Sequence, residues 1–282
     1  MRVIVRWQFS GTGASRSRSL RLKRLDDVLE RAARTARYKR EGVMLPECAP
    51  RDEAFLAQCL ESIPSLDMDD FLRQPADLYN WQNPRTAPAE LEFAVPHLGR
   101  TAVLGQGFAP DPQVAQFPYH TLEELEEYEP ESLAGPASKL LRLAEQVLAG
   151  RFLLPSLRTA VIPFTGLRHG CLKPEQRDLL WRAFRVPAFE QFRGFAQELL
   201  AWECEAHDGL HIREQNAIFE KTGRNKELLL TCLACEEYAL LRLGTHMTAR
   251  LVTAPCGCGE TSPRLLGLRE MAAAPMAMAA YA

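Results

Sequence analysis

The stretch ECEAHDGLHI, residues 203–212, and the stretch PCGCG, residues 255–259, decide how the last third of this 282-residue chain folds. The first stretch separates a cysteine from a histidine by the turn signal Asp208-Gly209. The second stretch holds two cysteines on a tight knuckle. The glycines of the knuckle allow positive φ angles, so we expect both sulfur atoms to face one point.

Cysteine and histidine side chains at this spacing indicate a metal site. Three thiolates and one imidazole complete a tetrahedral shell for zinc, and a closed shell of four protein ligands is structural rather than catalytic. We therefore predict a structural zinc ion held by Cys204, His211, Cys256 and Cys258.

Two other ligand sets stay open at this point. His207 would replace His211 in the first, and Cys232 with Cys235 would join the knuckle in a four-cysteine shell in the second. Residues three apart on an extended strand point to opposite faces of the sheet. The second set therefore requires the chain to turn at Leu233-Ala234.

The spacing of apolar residues predicts an α/β fold with an N-terminal helical segment, followed by a mixed sheet with flanking helices. Strand–helix–strand alternation in the second half indicates a right-handed parallel unit. The predicted helices cover residues 20–38, 52–63, 136–148 and 174–184. The predicted strands cover residues 91–95, 101–104, 158–164, 228–231 and 241–245.

Changes in composition divide the chain into four parts. Residues 1–75 form a basic leader with the N-terminal helices, and residues 76–120 form a Pro/Gly-rich connecting segment with short strands. Residues 121–268 form an α/β core that carries the knuckle. Residues 269–282 form an Ala/Met-rich tail.

The overall composition is that of a globular protein, with 46% hydrophobic residues and a formal charge of −2. Such a balance gives no general attraction to nucleic acid or to an anionic membrane, so we expect neither partner. Eight cysteines without a secretion signal indicate a reducing compartment, which predicts a cytoplasmic protein. The apolar run at the N-terminus is too short for a membrane span.

Four motifs resemble the phenylacetate–coenzyme A ligase family of adenylate-forming enzymes. They are ECEAHDGLHI, ELLLT, LRLGT and CGCGETSPRL, and the match is specific over residues 157–268. In the metal-containing branch of that family, metal ligands stand at the positions of Cys204, His211, Cys256 and Cys258. The resemblance implies the fold of part of the family's large domain. It also implies the family chemistry, which is ATP-dependent activation of a carboxylate to an acyl-adenylate and a CoA thioester.

The resemblance also implies nucleotide-binding residues. Phe192, Gly194 and Glu198 are similar to the family's aromatic-Gly…Glu motif, in which the aromatic ring lies by the adenine and the glutamate reaches magnesium and phosphate. Arg242 belongs to the LRLGT motif. ATP and Mg²⁺ as cofactors, and a carboxylate or nucleotide as ligand, follow from the resemblance alone.

The sequence departs from the family in three places. No Ser-Gly-Thr-Thr-Gly phosphate loop occurs in residues 76–120, Met247 stands where the family has its ribose-binding aspartate, and the small lysine-bearing C-terminal domain does not follow Leu268. We therefore expect a shortened, degenerate ligase-like protein with reduced or lost catalysis, and assign no catalytic residue. If nucleotide binds, glycines in residues 99–107 or 10–15 would contact the phosphates.

The alternative is a different class of protein. A non-catalytic, zinc-stabilised subunit would serve in binding or assembly, with another protein or a second copy of this chain as its partner. Binding of ATP separates the two hypotheses.

Overall fold

The computed structural model describes residues 14–42, 52–81, 91–95, 98–119, 122–222 and 226–271. The helices are α1 (Ala14–Arg34), α2 (Ala36–Arg40), α3 (Glu53–Ser62), α4 (Met68–Arg73), a 3₁₀ turn (Pro75–Leu78), α5 (Leu122–Tyr128), α6 (Ala137–Leu148) and α7 (Pro174–Phe184). The strands are β1 (Thr101–Leu104), β2 (Val114–Phe117), β3 (Ser132–Pro136), β4 (Ala160–Gly166), β5 (Gln191–Arg193), β6 (Leu199–Glu203), β7 (Leu210–Ile212), β8 (Ala217–Lys221), β9 (Leu228–Cys232), β10 (Leu243–Gly244), β11 (Met247–Val252) and β12 (Arg264–Glu270).

A mixed sheet forms the centre of the fold. Its strand order is β11-β12-β7-β6-β5-β4-β3-β1-β2. The neighbouring strands from β2 to β5 are parallel, and those from β5 to β11 are antiparallel. The predicted α/β class with a mixed sheet and flanking helices is therefore confirmed. Strands β1 and β2 lie in the segment 76–120, and β1 pairs with both β2 and β3, so this segment contributes to the same sheet.

The parallel half of the sheet is built from buried strands with helices packed on them. Every residue of β4 is buried, which matches its continuous apolar sequence. Helix α6 joins the parallel strands β3 and β4 and turns Leu140, Leu143 and Ala144 towards the core. The predicted strand–helix–strand alternation is seen in β4, α7 and β5, where β4 and β5 are parallel, whereas strand β3 was not predicted.

The N-terminal helices cover a second, smaller sheet of order β10-β9-β8. Helix α1 buries the apolar stripe that includes Val28, Leu29 and Ala32. The Tyr38 hydroxyl group accepts a hydrogen bond from the backbone N–H of Leu241, at 3.1 Å. The N-terminal helices and the sheet therefore share one continuous hydrophobic core.

Three predicted elements differ in the structure. The predicted strand at residues 91–95 is wrong, because this segment does not pair with a strand. The ring of Phe93 packs against the ring of Phe164 instead, with ring centroids 6.4 Å apart. The predicted helix 20–38 is broken at Thr35, whose hydroxyl donates a hydrogen bond to the carbonyl of Ala32. The strand predicted at 241–245 is limited to β10, because Arg242 has a φ of 49°.

Some predictions fall outside the described residues, namely those on the glycine-rich stretch at residues 10–13 and on the tail at 272–282. Among the helices that the structure describes, none combines the length and the apolar character that a membrane span requires.

Candidate metal centre and nucleotide-binding edge

The four predicted metal ligands lie in or next to neighbouring antiparallel strands of the large sheet. Cys204 follows β6 directly, and His211 lies in β7, which pairs with β6 in a hairpin. Cys256 and Cys258 lie in the turn between β11 and β12. Because Arg264 of β12 pairs with His211, the knuckle turn is brought next to the tip of the β6–β7 hairpin.

The ligand atoms of these four residues form one compact group. All of them lie within 4.8 Å of one another. The sulfur atoms of Cys204 and Cys256 are 3.6 Å apart, and the sulfur of Cys258 is 3.5 Å from His211 Nε2. Tetrahedral zinc with ordinary bond lengths requires about 3.8 Å between two sulfurs and about 3.5–3.6 Å between a sulfur and a ring nitrogen. The donor set and its spacing therefore fit zinc.

The surroundings of the group shift the pKa values of His211 and Cys256 towards their metal-binding forms, and that of Cys204 in the opposite direction. Burial lowers the pKa of His211, which favours the uncharged ring. Burial raises the pKa of Cys204 to about 11, whereas a hydrogen bond from the backbone of Cys258 lowers the pKa of Cys256. The backbone N–H of Glu260 donates to the sulfur of Cys258 at 3.4 Å. Three of the four ligands are buried and Cys258 is exposed, so the site lies at the surface end of the hairpins.

Arg264 links the knuckle turn to the β6–β7 hairpin through hydrogen bonds. Its buried guanidinium group donates to the carbonyls of Asp208 at 2.9 Å and Ala254 at 3.1 Å, and it pairs with the Asp208 carboxylate. Arg264 is the arginine of the CGCGETSPRL motif, and the motif alone assigns it no role. Its position at the start of a strand, directly after the knuckle, is the signal that would have assigned one.

The structure separates the alternative ligands from this group. His207 Nδ1 lies 2.9 Å from the carboxylate of Glu203, and its ring stacks on Phe189 at 5.3 Å. Cys232 and Cys235 lie in a different cluster.

Ser262 contacts the ring of the candidate ligand His211, and we expect this contact to orient the ring for metal binding. Its hydroxyl oxygen lies 3.1 Å from His211 Nδ1, which leaves Nε2 to face the sulfur atoms. Loss of such an outer contact weakens metal binding about 10–100-fold in comparable sites. We expect Ser262→Ala to weaken zinc affinity by that factor in a competition titration with a chromophoric chelator.

The matched control is Thr261→Ala, which changes an exposed side chain in the same loop. It should leave zinc affinity at the wild-type value. Equal affinities for wild type and Ser262→Ala would show that the serine does not orient the ligand.

A polar network that the sequence analysis missed lies beside the knuckle hairpin. Arg177 donates to Glu203 at 3.0 Å and pairs with Glu190 at 3.4 Å, and the Thr165 hydroxyl donates to Glu190 at 2.7 Å. Burial raises the pKa of Glu190. The network opens into a cleft of about 520 Å³ that His207 also lines. Two glutamates next to apolar strands are the signal that could have indicated this network.

Three predicted nucleotide-binding residues lie where the parallel strands end. Phe192 belongs to β5, and Gly194 and Glu198 follow it. The ring of Phe192 is buried and meets Phe219 edge to face, with centroids 6.2 Å apart. The Glu198 carboxylate accepts a hydrogen bond from the thiol of Cys232 at 2.9 Å.

The fourth, Arg242, contacts the N-terminal helical segment. Its guanidinium group donates to the carbonyls of Glu61 at 3.1 Å and Ile63 at 2.5 Å, and pairs with Glu220 at 3.3 Å. Met247, which occupies the place of the family's aspartate, is buried, with its sulfur 3.7 Å from the sulfur of Cys171. The structure therefore does not bring Arg242 and Glu198 into one polar group.

Comparisons with known proteins rest on structure. No protein-family model and no curated protein matches this sequence. Among solved structures, the chain is similar to 2-hydroxyisobutyryl-CoA ligase in an open conformation in complex with 2-HIB-AMP and CoA. The TM-score is 0.62 at 15% identity, and the match covers 90% of this chain and 74% of that chain.

The same ligase in two further states gives similar values. In the thioesterification state with 2-HIB-AMP and CoA, the TM-score is 0.64 at 14% identity, covering 92% of this chain and 68% of that chain. In the postadenylation state with R3-HIB-AMP, the TM-score is 0.66 at 14% identity over the same shares. Over most of its length, this chain therefore has the fold of part of that ligase.

Proposed function

We propose that this chain is a phenylacetate–coenzyme A ligase-like protein that binds a carboxylate, a nucleotide or the acyl-adenylate that joins them, with reduced or lost catalysis. The observation that carries the proposal is the fold match over 92% of the chain to a ligase solved with an acyl-adenylate. Zinc in the knuckle site, as in the metal-containing branch, would have a structural role.

The topology supports a ligand site at one edge of the sheet. Ligands of open α/β sheets bind outside the carboxyl ends of parallel strands, where the strand order reverses. Here the order reverses between β1 and β3. Gly105 and Gly107 follow β1, and the N-terminus of α6 follows β3. A helix N-terminus attracts anions, and Lys139 in its first turn adds a positive charge 4.8 Å from the Tyr119 ring centroid.

The contacts of the residues that resemble the family's nucleotide-binding motifs support reduced catalysis. Adenylation concentrates negative charge at phosphorus and depends on groups that stabilise it. Arg242 donates to backbone carbonyls of the helical segment, and Glu198 accepts from a cysteine. Met247 has no oxygen that would accept hydrogen bonds from ribose hydroxyls.

A thermal-shift titration combined with pyrophosphate exchange tests the proposal. AMP or CoA should raise the melting temperature, because a ligand at 100 times its Kd stabilises the folded state by about 2.7 kcal/mol. ATP with Mg²⁺ and a panel of carboxylates, including phenylacetate and 2-hydroxyisobutyrate, should give no exchange above background. Lys139→Gln should reduce the shift, and the exposed control Lys221→Gln should not.

Two outcomes would contradict different parts of the proposal. No shift with AMP, CoA or ATP at millimolar concentration would remove the ligand-binding function. Carboxylate-dependent exchange of pyrophosphate would restore full adenylation and remove the statement that catalysis is reduced.

A further inference from the structure

A second cluster of metal-ligand side chains lies apart from the zinc knuckle. It consists of Glu198, Cys232 and Cys235, and the ligand atoms of all three lie within 4.8 Å of one another. Cys232 is the last residue of β9, Cys235 follows after a turn, and Glu198 directly precedes β6. Both cysteines are fully buried.

The turn between the two cysteines is what makes their sulfur atoms converge. The backbone N–H groups of Leu233 and Ala234 both donate to the carbonyl of Asn216, at 2.8 and 3.3 Å. The side-chain amide of Asn216 donates in turn to the carbonyl of Leu199 at 2.7 Å. These bonds bend the chain away from the strand direction, so residues that would face opposite sides of a strand instead face the same point.

The carboxylate of Glu198 is directed at this pair. One of its oxygens accepts a hydrogen bond from the Cys232 thiol at 2.9 Å. The other oxygen is buried and has no hydrogen-bond partner within the described part of the chain. A Cβ atom on Gly194 would lie 2.2 Å from the carboxylate, so the glycine leaves the space that the carboxylate occupies.

Ordinary packing of buried cysteines does not explain this arrangement. Apolar packing would place hydrocarbon against the two thiols, whereas here a carboxylate lies against them. A buried acceptor without a partner costs about 1–3 kcal/mol. A cation between the carboxylate and the two sulfurs would remove that cost.

We propose that Glu198, Cys232 and Cys235 form a second metal site, specific for a thiophilic divalent cation such as zinc. Two sulfur ligands select zinc over magnesium, because magnesium prefers oxygen donors. Binding releases the two thiol protons to solvent and gives the metal two thiolates and one carboxylate. The net charge of −1 is offset by the guanidinium group of Arg193, which interacts electrostatically with Glu198.

The site differs from the knuckle in its ligand number. The knuckle offers four protein ligands, which closes the shell. The second site offers three, so the fourth position is available to water or to an external ligand, as in catalytic zinc sites. Glu198 is only partly buried, which places the open position on its side of the cluster. This inference does not depend on the proposed function.

The test is metal analysis of the full chain after zinc loading and gel filtration. We expect two zinc ions per chain for wild type and one for Cys232→Ser with Cys235→Ser. Glu198→Gln retains the side-chain volume and both cysteines, so it is the variant that should fold if the cysteine variant does not. It should weaken the second site by about 10-fold or more, since even outer contacts contribute that much.

Cobalt gives an independent signal from the same variants. Loading of the second site should add thiolate-to-cobalt charge-transfer absorption that is lost in Cys232→Ser with Cys235→Ser. Cys171→Ser, which lies outside both clusters, should retain two metal ions and the full absorption. Equal zinc content in wild type and in Cys232→Ser with Cys235→Ser, or a mass that shows a Cys232–Cys235 disulfide in the loaded protein, would overturn the proposal.

Discussion

Cys256→Ser combined with Cys258→Ser should abolish zinc binding at the knuckle and lower the free energy of unfolding by about 4 kcal/mol or more. The size follows from linkage, because a metal at 1,000 times its Kd stabilises the folded state by about 4.1 kcal/mol. In peptides that fold only with the metal, the free energy of zinc binding is about 10–16 kcal/mol, which exceeds this value.

The effect should be concentrated in the two hairpins that carry the ligands. Residues 253–261 are exposed apart from Cys256, so hardly any apolar burial holds the knuckle turn. Without the metal, hydrogen bonds of Arg264 still join this turn to the β6–β7 hairpin. Hydrogen exchange should therefore become faster at residues 203–212 and 253–264, and remain slow in β4.

Chelation of wild type should likewise make exchange faster at residues 203–212 and 253–264 without any change of sequence, in addition to the effect of emptying the second site. Cys171→Ser is the matched control, because it replaces a partly buried cysteine outside both metal-ligand clusters. It should retain the knuckle zinc and the exchange pattern of wild type. Unchanged exchange across residues 200–264 after the metal has been removed would contradict a structural role for zinc.

The knuckle could be predicted from the sequence because the residues that form it are close together in the chain. Cys-Gly-Cys-Gly fixes a tight turn, and Asp208-Gly209 marks the hairpin that carries His211. Only the pairing of β7 with β12 joins distant parts of the chain, and this one pairing is enough to bring the four ligands together. Of the parallel strands, β1 and β4 were predicted because each is a mostly apolar run. Strands β2, β3 and β5 were not predicted, because each is short and contains polar residues or glycine.

The contacts of the other predicted residues depended on distant parts of the chain. Arg242 bonds to carbonyls of Glu61 and Ile63, which lie about 180 positions earlier in the sequence. Residues 91–95 have the composition of a strand, but whether an apolar segment pairs or only packs depends on the space beside the sheet. The turn that brings Cys235 to Glu198 depends on Asn216.

The second large effect is expected at Arg193, a charged residue that is buried at the end of β5. Its guanidinium group donates to the carbonyls of Glu92 and Gln197, both at 2.8 Å, and lies 4.0 Å from the centroid of the Phe164 ring. Burial lowers the pKa of Arg193 to about 9, so the group still carries its charge at neutral pH. It therefore connects β5 to the irregular segment at residues 91–95.

Arg193→Ala should lower the free energy of unfolding by about 3–5 kcal/mol, because it creates a cavity and leaves buried acceptors without a donor. Arg193→Met retains most of the volume and loses only the hydrogen bonds and the charge, so its loss should be smaller. Urea denaturation at neutral pH measures both.

The control is Arg158→Ala, which removes an ion pair with Glu131 from an arginine side chain that is 73% exposed. Exposed pairs of this kind contribute about 0–1 kcal/mol. If Arg193→Ala were as stable as this control, the buried guanidinium group would not hold residues 91–95 on the sheet. If Arg193→Met were as unstable as Arg193→Ala, the hydrogen bonds rather than the filled volume would account for the stabilisation.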